Sequence, residues 1–366
     1  MNLFDQLKKP TLLLNEGRAR ANIRRMAEKA RRQHIRFRPH FKTHQSAAIG
    51  EWFREEGVSA ITVSSVDMAA YFAAHDWQDI TIAFPVNWRE IAEINALAKK
   101  VHLGLLVESP ETVAFLRGRL TAPVDVWIKI DVGNKRTGLP WDNPQPIHEL
   151  LQDIRQIPQL QPRGLLTHAG HTYHPDSPNQ VCDLYRESVD RINAVRSHLN
   201  TAGLRLEVSV GDTPGCSKCA DLGAVEEIRP GNFVFYDAQQ LLVESCSVED
   251  IAVALACPVV ARHPDRSEIV VYGGAIHLSK DLFEQDGHTA YGLVSLPQGN
   301  GWSSPLPGAY VSRLSQEHGV IALPRTDDDR VQIGDFICVI PAHSCLTIQA
   351  MQEYLTMDGK VIPTIR

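Results

Sequence analysis

The stretch Arg36-Phe37-Arg38-Pro39-His40-Phe41-Lys42-Thr43-His44 decides how the rest of the chain is read. A short apolar-and-basic strand signal ends at one lysine, and helical periodicity resumes at once. A lysine at a strand tip is a poor core residue and a useful reagent. Burial beside other cations lowers an ammonium's pKa and frees the amine to attack a carbonyl. Arg38, His40 and His44 are the neighbours able to act on Lys42 in this way. A solvated lysine at a strand end is the plain alternative, and the residues downstream decide between the two.

Upstream, Ile23, Met26, Ala27 and Ala30 carry helical spacing. Downstream, short apolar runs alternate with amphipathic segments. The runs are Ile61 to Val63, Ile80 to Phe84, Val101 to Val107, Val124 to Ile130, Leu165 to Thr167, Leu206 to Val210 and Phe233 to Phe235. Asn87 with Glu90 has the pattern of a capping box, and Ser109-Pro110 that of an N-cap followed by proline at the first helical position. The longest helical pattern places Tyr185, Val189, Ile192 and Leu199 on one face. With the Lys42 strand there are eight nearly all-apolar strands, as expected when both sheet faces are covered. Eight β-α units predict an α/β fold, a (β/α)8 TIM barrel. A doubly wound open sheet competes, but no Gly-x-Gly-x-x-Gly turn follows the first strand.

After Ala238 the texture changes. Ile251 to Ala261, Glu268 to Gly274, Tyr291 to Ser295 and Asp335 to Pro341 are strand-like and separated by turn-rich segments. The expectation is a barrel domain over 1–238 and a smaller, mostly antiparallel β domain over 239–366. With 37 basic and 43 acidic residues the net charge is −6, which gives no reason to expect nucleic acid or a membrane as partner. No signal peptide or membrane span is read, and the expected location is the cytoplasm. Seven cysteines are too scattered for a disulfide framework. Cys216-Ser217-Lys218-Cys219 lacks a second pair, so it is read as incidental thiols.

Reacting groups of a barrel collect at the C-terminal ends of its strands, and a phosphate site often follows strands seven and eight. Lys42 ends the first strand. The fifth ends in Asp131-Val132-Gly133-Asn134-Lys135-Arg136-Thr137-Gly138, which presents Arg136. The sixth ends in Thr167-His168-Ala169-Gly170-His171-Thr172-Tyr173-His174, and the seventh in Ser209-Val210-Gly211-Asp212-Thr213-Pro214-Gly215. The last, with Arg229-Pro230-Gly231-Asn232, suits backbone N–H capture of a phosphate. A strand-end lysine plus a phosphate cradle is what a barrel-bound pyridoxal phosphate needs.

Pro39-His40-Phe41-Lys42-Thr43-His44 resembles the cofactor-lysine motif of the D-threonine aldolase and D-serine dehydratase family, whose barrel is related to that of alanine racemase. The segments 129–138, 168–173, 209–214 and 229–237 resemble further parts of that family, so the match spans nearly the whole chain. The resemblance implies that Lys42 holds pyridoxal phosphate and that Arg136 approaches its phenolic oxygen. Ser209, Gly211, Thr213, Gly231 and Asn232 would surround its phosphate, with Tyr173 against the ring and His168 on the same wall. It also implies a homodimer.

In the β domain, Pro341-Ala342-His343-Ser344-Cys345 carries a histidine and a cysteine two residues apart. On an extended strand such residues point to one face and can converge on one ion, with open positions for water and substrate. Two buried side chains without a metal are the plain alternative. Within the family, His-x-Cys falls where the metal pair sits and resembles the dehydratase members rather than the aldolases, which carry His-x-Asp. A soft thiolate favours Zn2+ over other divalent ions. The segment Gly273 to Asp281 also resembles a family stretch, though spacing gives His277 and Lys280 no role. The expected activity is dehydration of a D-β-hydroxy amino acid such as D-serine; D-threonine stays open as a substrate, and a dehydratase for 3-hydroxy-D-aspartate is an alternative. Retro-aldol cleavage to glycine and an aldehyde is the rival. A racemase has no use for a metal pair, and a non-enzymatic pyridoxal phosphate carrier has no use for residues 239–366.

Overall fold

The computed structural model describes residues 3–199, 205–299 and 301–365. The chain divides into two compact units, residues 24–231 and residues 1–23 with 232–366.

In the first unit eight parallel strands pair in sequence: β1 (Arg36–Phe37), β2 (Ala60–Val63), β3 (Asp79–Pro85), β4 (His102–Val107), β5 (Val124–Asp131), β6 (Leu160–Thr167), β7 (Glu207–Val210) and β8 (Glu227–Ile228). β8 pairs with β1, and a parallel bridge between His40 and Thr62 joins β1 to β2, so the ring closes. The apolar runs are buried on both faces, as a helix-covered parallel barrel demands. Helices follow strands one to seven and start where capping chemistry allows. Ser65 accepts from the Met68 N–H, and Ser109 from the Thr112 N–H with Pro110 in the first turn. Asn87 caps only a short 3-10 turn through the Arg89 N–H. At Gly164, where β6 shifts register against β5, a Cβ would lie 2.1 Å from the Glu207 carbonyl oxygen, so only glycine fits.

The eighth strand is not where the apolar run suggested. Phe233 to Phe235 is buried because it forms a tight 3-10 turn, with the Phe235 and Tyr236 N–H groups both bonded to the Asn232 carbonyl. β8 is the two-residue Glu227–Ile228, and a buried glutamate hides such a strand from any hydrophobic pattern.

That glutamate belongs to a closed circuit of charges contributed largely by the N-terminal halves of the strands. Glu227 meets Arg38 (2.7 Å) and Arg36 (2.6 Å), and Arg38 meets Asp79 (2.6 Å). His102 spans Asp79 (3.5 Å) and Asp125 (3.1 Å). Arg163 spans Asp125 (3.9 Å) and Glu207 (2.8 Å), and Glu207 returns to Arg36. Burial works against the Glu227 carboxylate, yet Arg38 and Arg36 hold its pKa down to about 2.

The cysteine reading needs correction. Cys219 pairs with Cys182 in a disulfide across 37 residues, and Cys216 remains a buried free thiol. A single bridge between a helix and a loop has no spacing signature in sequence.

In the second unit the antiparallel strands are β9 (Val253–His263), β10 (Glu268–Tyr272), β11 (Gly292–Ser295), β12 (Tyr310–Leu314), β13 (His318–Ala322) and β14 (Phe336–Pro341). They pair in the cycle β9-β10-β13-β12-β11-β14-β9, closing a small antiparallel barrel. The N-terminal strand Thr11–Leu14 also belongs here. It pairs antiparallel with β9 through Leu12 and Leu255 and parallel with β15 (Glu353–Thr356) through Leu13 and Leu355. Among the described residues no helix is long and apolar enough to cross a membrane.

Candidate active site

Backbone pairing fixes where Lys42 emerges. The Arg38 and His40 N–H groups bond to the carbonyls of Ile228 and Pro230, while the Phe41 N–H bonds to Thr62. Phe41 is fully buried, with ring centroids 4.9 Å from Phe53, 4.9 Å from Phe72 and 5.0 Å from Trp77. Lys42 is the first residue past this anchor and is exposed. Two of its three supposed activators are spent elsewhere. Arg38 is locked in the charge circuit, and His44 stacks on Phe53, where burial takes its pKa down to about 3. His40 does belong beside Lys42, since the Lys42 N–H lies 3.3 Å from its Nδ1.

Around this amine the barrel gathers positive charge. Burial lowers the pKa of His40 well below the usual imidazole range, and Lys42, Arg229, His168 and Arg136 add to the effect. Burial does the same to His168, reinforced by Lys42, Arg136 and Lys129 and opposed by its bond to the Gly211 carbonyl. Lys129 is taken to about 7, chiefly by burial and then by Arg229 and Arg136, with Asp131 and Glu108 opposing. Arg229 is pulled down to about 10 by burial, against Glu227. Both imidazoles are therefore neutral and of opposite tautomer. His40 accepts at Nδ1 and carries its proton on Nε2, while His168 donates from Nδ1 to Gly211 and leaves Nε2 bare. A buried cluster of cations and imidazoles of this kind favours an anionic partner. A dianionic phosphate and a phenolate oxygen fit this donor set, which is the chemistry of pyridoxal phosphate.

One wall of the cluster joins several residues singled out in the sequence. The Tyr173 hydroxyl accepts from the Thr213 N–H (3.1 Å), and its ring centroid is 6.0 Å from that of His168. Asp212 ties this wall together, accepting from the Gly215 N–H (2.6 Å) with the Thr172 hydroxyl 2.9 Å away. A Cβ on Gly211 would come within 3.0 Å of the Arg229 carbonyl oxygen, and one on Gly231 within 3.0 Å of the His40 carbonyl oxygen. Arg136 is exposed at the end of β5, on a loop whose Gly133 and Lys135 N–H groups bond to Asp131. Ser209 stands apart from the cradle, because its hydroxyl donates to Glu227 (2.7 Å) and accepts from Arg229 (2.7 Å) in the barrel interior. Asn232 lies in the second unit, where its amide donates to Asp237 Oδ2 (2.6 Å) and Ser344 Oγ (3.0 Å). The side chains of Lys129 and Arg229 had been given no role. Lys129 carried a legible signal, as a cation inside the apolar run Val124 to Ile130.

The second unit brings His343 and Cys345 together, but not along a strand. β14 ends at Pro341, His343 is the extended N-cap of helix Ser344–Met351, and Cys345 lies in its first turn. Cys345 is buried, and the imidazole reaches it. Burial works to lower the His343 pKa, but Cys345 and Asp237 raise it well above the usual imidazole range. Among the described residues no group of three or more His, Cys, Asp or Glu is placed to hold an ion. A two-ligand site built on a soft sulfur and an imidazole fits zinc with open positions. In the segment 273–281, a Cβ on Gly274 would lie 2.4 Å from the Gln316 carbonyl oxygen, so the glycine pair serves close packing. His277 Nδ1 accepts from the Gly274 N–H (3.2 Å), a local turn contact.

A closed parallel barrel with a lysine in a cationic cluster, in one chain with a small antiparallel barrel, defines an alanine racemase-like enzyme. A model of the alanine racemase N-terminal domain matches residues 14–239, and a serine dehydratase domain model matches residues 252–357. D-threo-3-hydroxyaspartate dehydratase of a Delftia species is 30% identical over 372 residues, covering 97% of this chain and 96% of that protein. D-Serine dehydratase of Schizosaccharomyces pombe is 26% identical over 391 residues, covering 99% and 91%. The solved Delftia dehydratase superposes with a TM-score of 0.90 at 28% identity over 100% of both chains. Structures of that enzyme also exist with a histidine or a cysteine, two positions apart, replaced by alanine, and the cysteine variant is described as metal-free. The chain belongs to the D-threonine aldolase and D-serine dehydratase family and is an enzyme of the lyase type.

Proposed function

We propose that this chain is a pyridoxal phosphate- and zinc-dependent dehydratase of D-β-hydroxy amino acids, converting a substrate such as D-serine to a 2-oxo acid and ammonia. The observation that carries the reading is the cationic cluster around Lys42, whose donors suit a dianionic phosphate and a phenolate oxygen. Lys42 would carry that cofactor and exchange a proton at the substrate's α-carbon, a task suited to a primary amine. Bound pyridoxal phosphate supplies the electron sink that makes an α-proton removable. Neutral His40 offers an Nε2–H donor and neutral His168 an Nε2 acceptor, so hydrogen bonding is provided without a competing acid. Tyr173, fixed by the Thr213 N–H, keeps its ring orientation without an added cost on binding.

His343 and Cys345 would hold zinc, whose chemistry is to polarise a β-hydroxyl and make hydroxide a tolerable leaving group. The histidine and cysteine two positions apart in the Delftia dehydratase support this pairing. Cysteine at 345 favours elimination over aldol cleavage, since the resemblance ties aspartate at that position to the aldolases. Over the whole reaction the substrate loses its α-hydrogen and β-hydroxyl, and hydrolysis then releases ammonium, leaving the 2-oxo acid. Incubation with D-threonine separates the two readings. 2-Oxobutyrate and ammonia support dehydration, whereas glycine and acetaldehyde overturn it. Loss of turnover in EDTA with retention of the cofactor's absorbance supports the zinc half; full activity in EDTA refutes it. The similarity to the Delftia enzyme makes 3-hydroxy-D-aspartate the second substrate to assay.

A further inference from the structure

Asp237 is fully buried, and its carboxylate has collected an unusual number of donors. Oδ2 accepts from the Asn232 amide (2.6 Å), the Ser344 N–H (3.0 Å) and the Ser344 hydroxyl (3.4 Å), and it stands 3.3 Å from His343 Nδ1. Oδ1 accepts from the Gln240 N–H (3.0 Å) as the N-cap of helix Ala238–Leu242. The Asn232 turn and the start of the 344–351 helix, over 100 residues apart, therefore converge on one oxygen of Asp237.

We infer that Asp237 is a positioning residue that sets the tautomer and ring orientation of His343, and that Asn232 positions Asp237. The inference rests on the reading of His343 and Cys345 as a zinc pair. A carboxylate on one ring nitrogen holds the proton there and turns the other nitrogen outward as a ligand. Asp237 faces Nδ1, so Nε2 is the nitrogen left to bind metal together with Cys345. Asn232 fixes the carboxylate from behind. Its amide nitrogen also lies 3.9 Å from Cys345 Sγ, so one side chain touches Cys345 directly and reaches His343 through Asp237. At 3.3 Å from Oδ2, Nδ1 is a buried nitrogen that makes no hydrogen bond among the described residues; metal capture at Nε2 would acidify Nδ1–H and close the bond to Oδ2.

The test is a zinc titration of the cofactor-loaded protein against a chromophoric chelator, for wild type and Asp237→Asn. The variant keeps the shape and can still cap Gln240. Zinc affinity should fall about 10–100-fold while the cofactor's absorbance stays at its wild-type value; the metal-free variant should melt at a lower temperature, because the new amide NH2 group faces the Asn232 and Ser344 donors. Unchanged affinity overturns the inference. A wild type that binds no stoichiometric zinc overturns it together with the metal half of the proposed function, a distinguishable result because the variant comparison is then moot. A second measurement needs no variant. Nitrogen NMR of the zinc-loaded wild type should show His343 metallated at Nε2 and protonated at Nδ1, and metallation at Nδ1 refutes the role assigned to Asp237.

Discussion

Replacing Glu227 with glutamine tests whether the barrel depends on its charge circuit. The carboxylate has no solvent exposure, and its pKa sits near 2 against an ordinary value of 4.5. A shift of that size corresponds to roughly 3 kcal/mol of folding stability at neutral pH, at about 1.4 kcal/mol per unit. Breaking a buried ion pair typically costs about 3–5 kcal/mol. The lower end applies here, because Arg38 keeps Asp79 and Arg36 keeps Glu207. The folded-state pKa is depressed, so this stabilisation is complete above pH 4.5 and is lost as pH falls through 2. Wild type and Glu227→Gln should differ by roughly 3 kcal/mol at pH 7 and about half that at pH 3, converging near pH 2. Thermal or urea unfolding of the barrel transition at each pH gives the gap directly. Curves that stay parallel from pH 7 to pH 2 would show that the Glu227 charge contributes nothing, and the argument for the circuit would fail.

Two further outcomes follow from the groups around the lysine. Phe41→Ala should destabilise the protein by about 3–5 kcal/mol in unfolding experiments. Because Phe41 anchors the residue before Lys42, cofactor affinity should fall as well, and unaltered cofactor binding would contradict that anchoring role. Lys129→Met should change the pH dependence of the cofactor-free protein. The folded-state pKa of Lys129 is about 7, below the unfolded value of 10.5, so wild-type stability should rise between those values as the unfolded chain holds the extra proton. The variant should lose that rise, and a wild type whose stability is flat over the window would refute the buried-cation reading.

Much of the barrel was legible because its strands are buried on both faces, and the apolar runs at 61–63, 80–84, 101–107 and 124–130 mark them directly. The eighth strand was not. Glu227–Ile228 offers one apolar residue, whereas Phe233 to Phe235 is apolar because it is buried in a turn. The N-terminal strand was read into the barrel for a related reason, since Leu12 to Leu14 carries no sign of which sheet it joins. At the candidate site, strand ends were the signal for Lys42, Arg136, His168 and Tyr173, and the structure places His168 and Tyr173 on one wall. What could not be read was commitment: Ser209 has its hydroxyl taken by Glu227 and Arg229, and Asn232 has its amide taken by Asp237 and Ser344. Hydrogen bonds such as Ser209 to Glu227 and Asn232 to Ser344, 18 and 112 positions apart, leave no local pattern. His343 and Cys345 were found by spacing on a mistaken strand, and a helix cap brings them together instead.

The central claim is that the amine of Lys42 carries the cofactor. Borohydride reduction of the pyridoxal phosphate-loaded protein, followed by peptide mass mapping, tests it most directly. A phosphopyridoxyl group on Lys42 and on no other residue is the expected result. A group mapped to Lys129, or protein that retains the cofactor but yields no labelled lysine, would contradict the account.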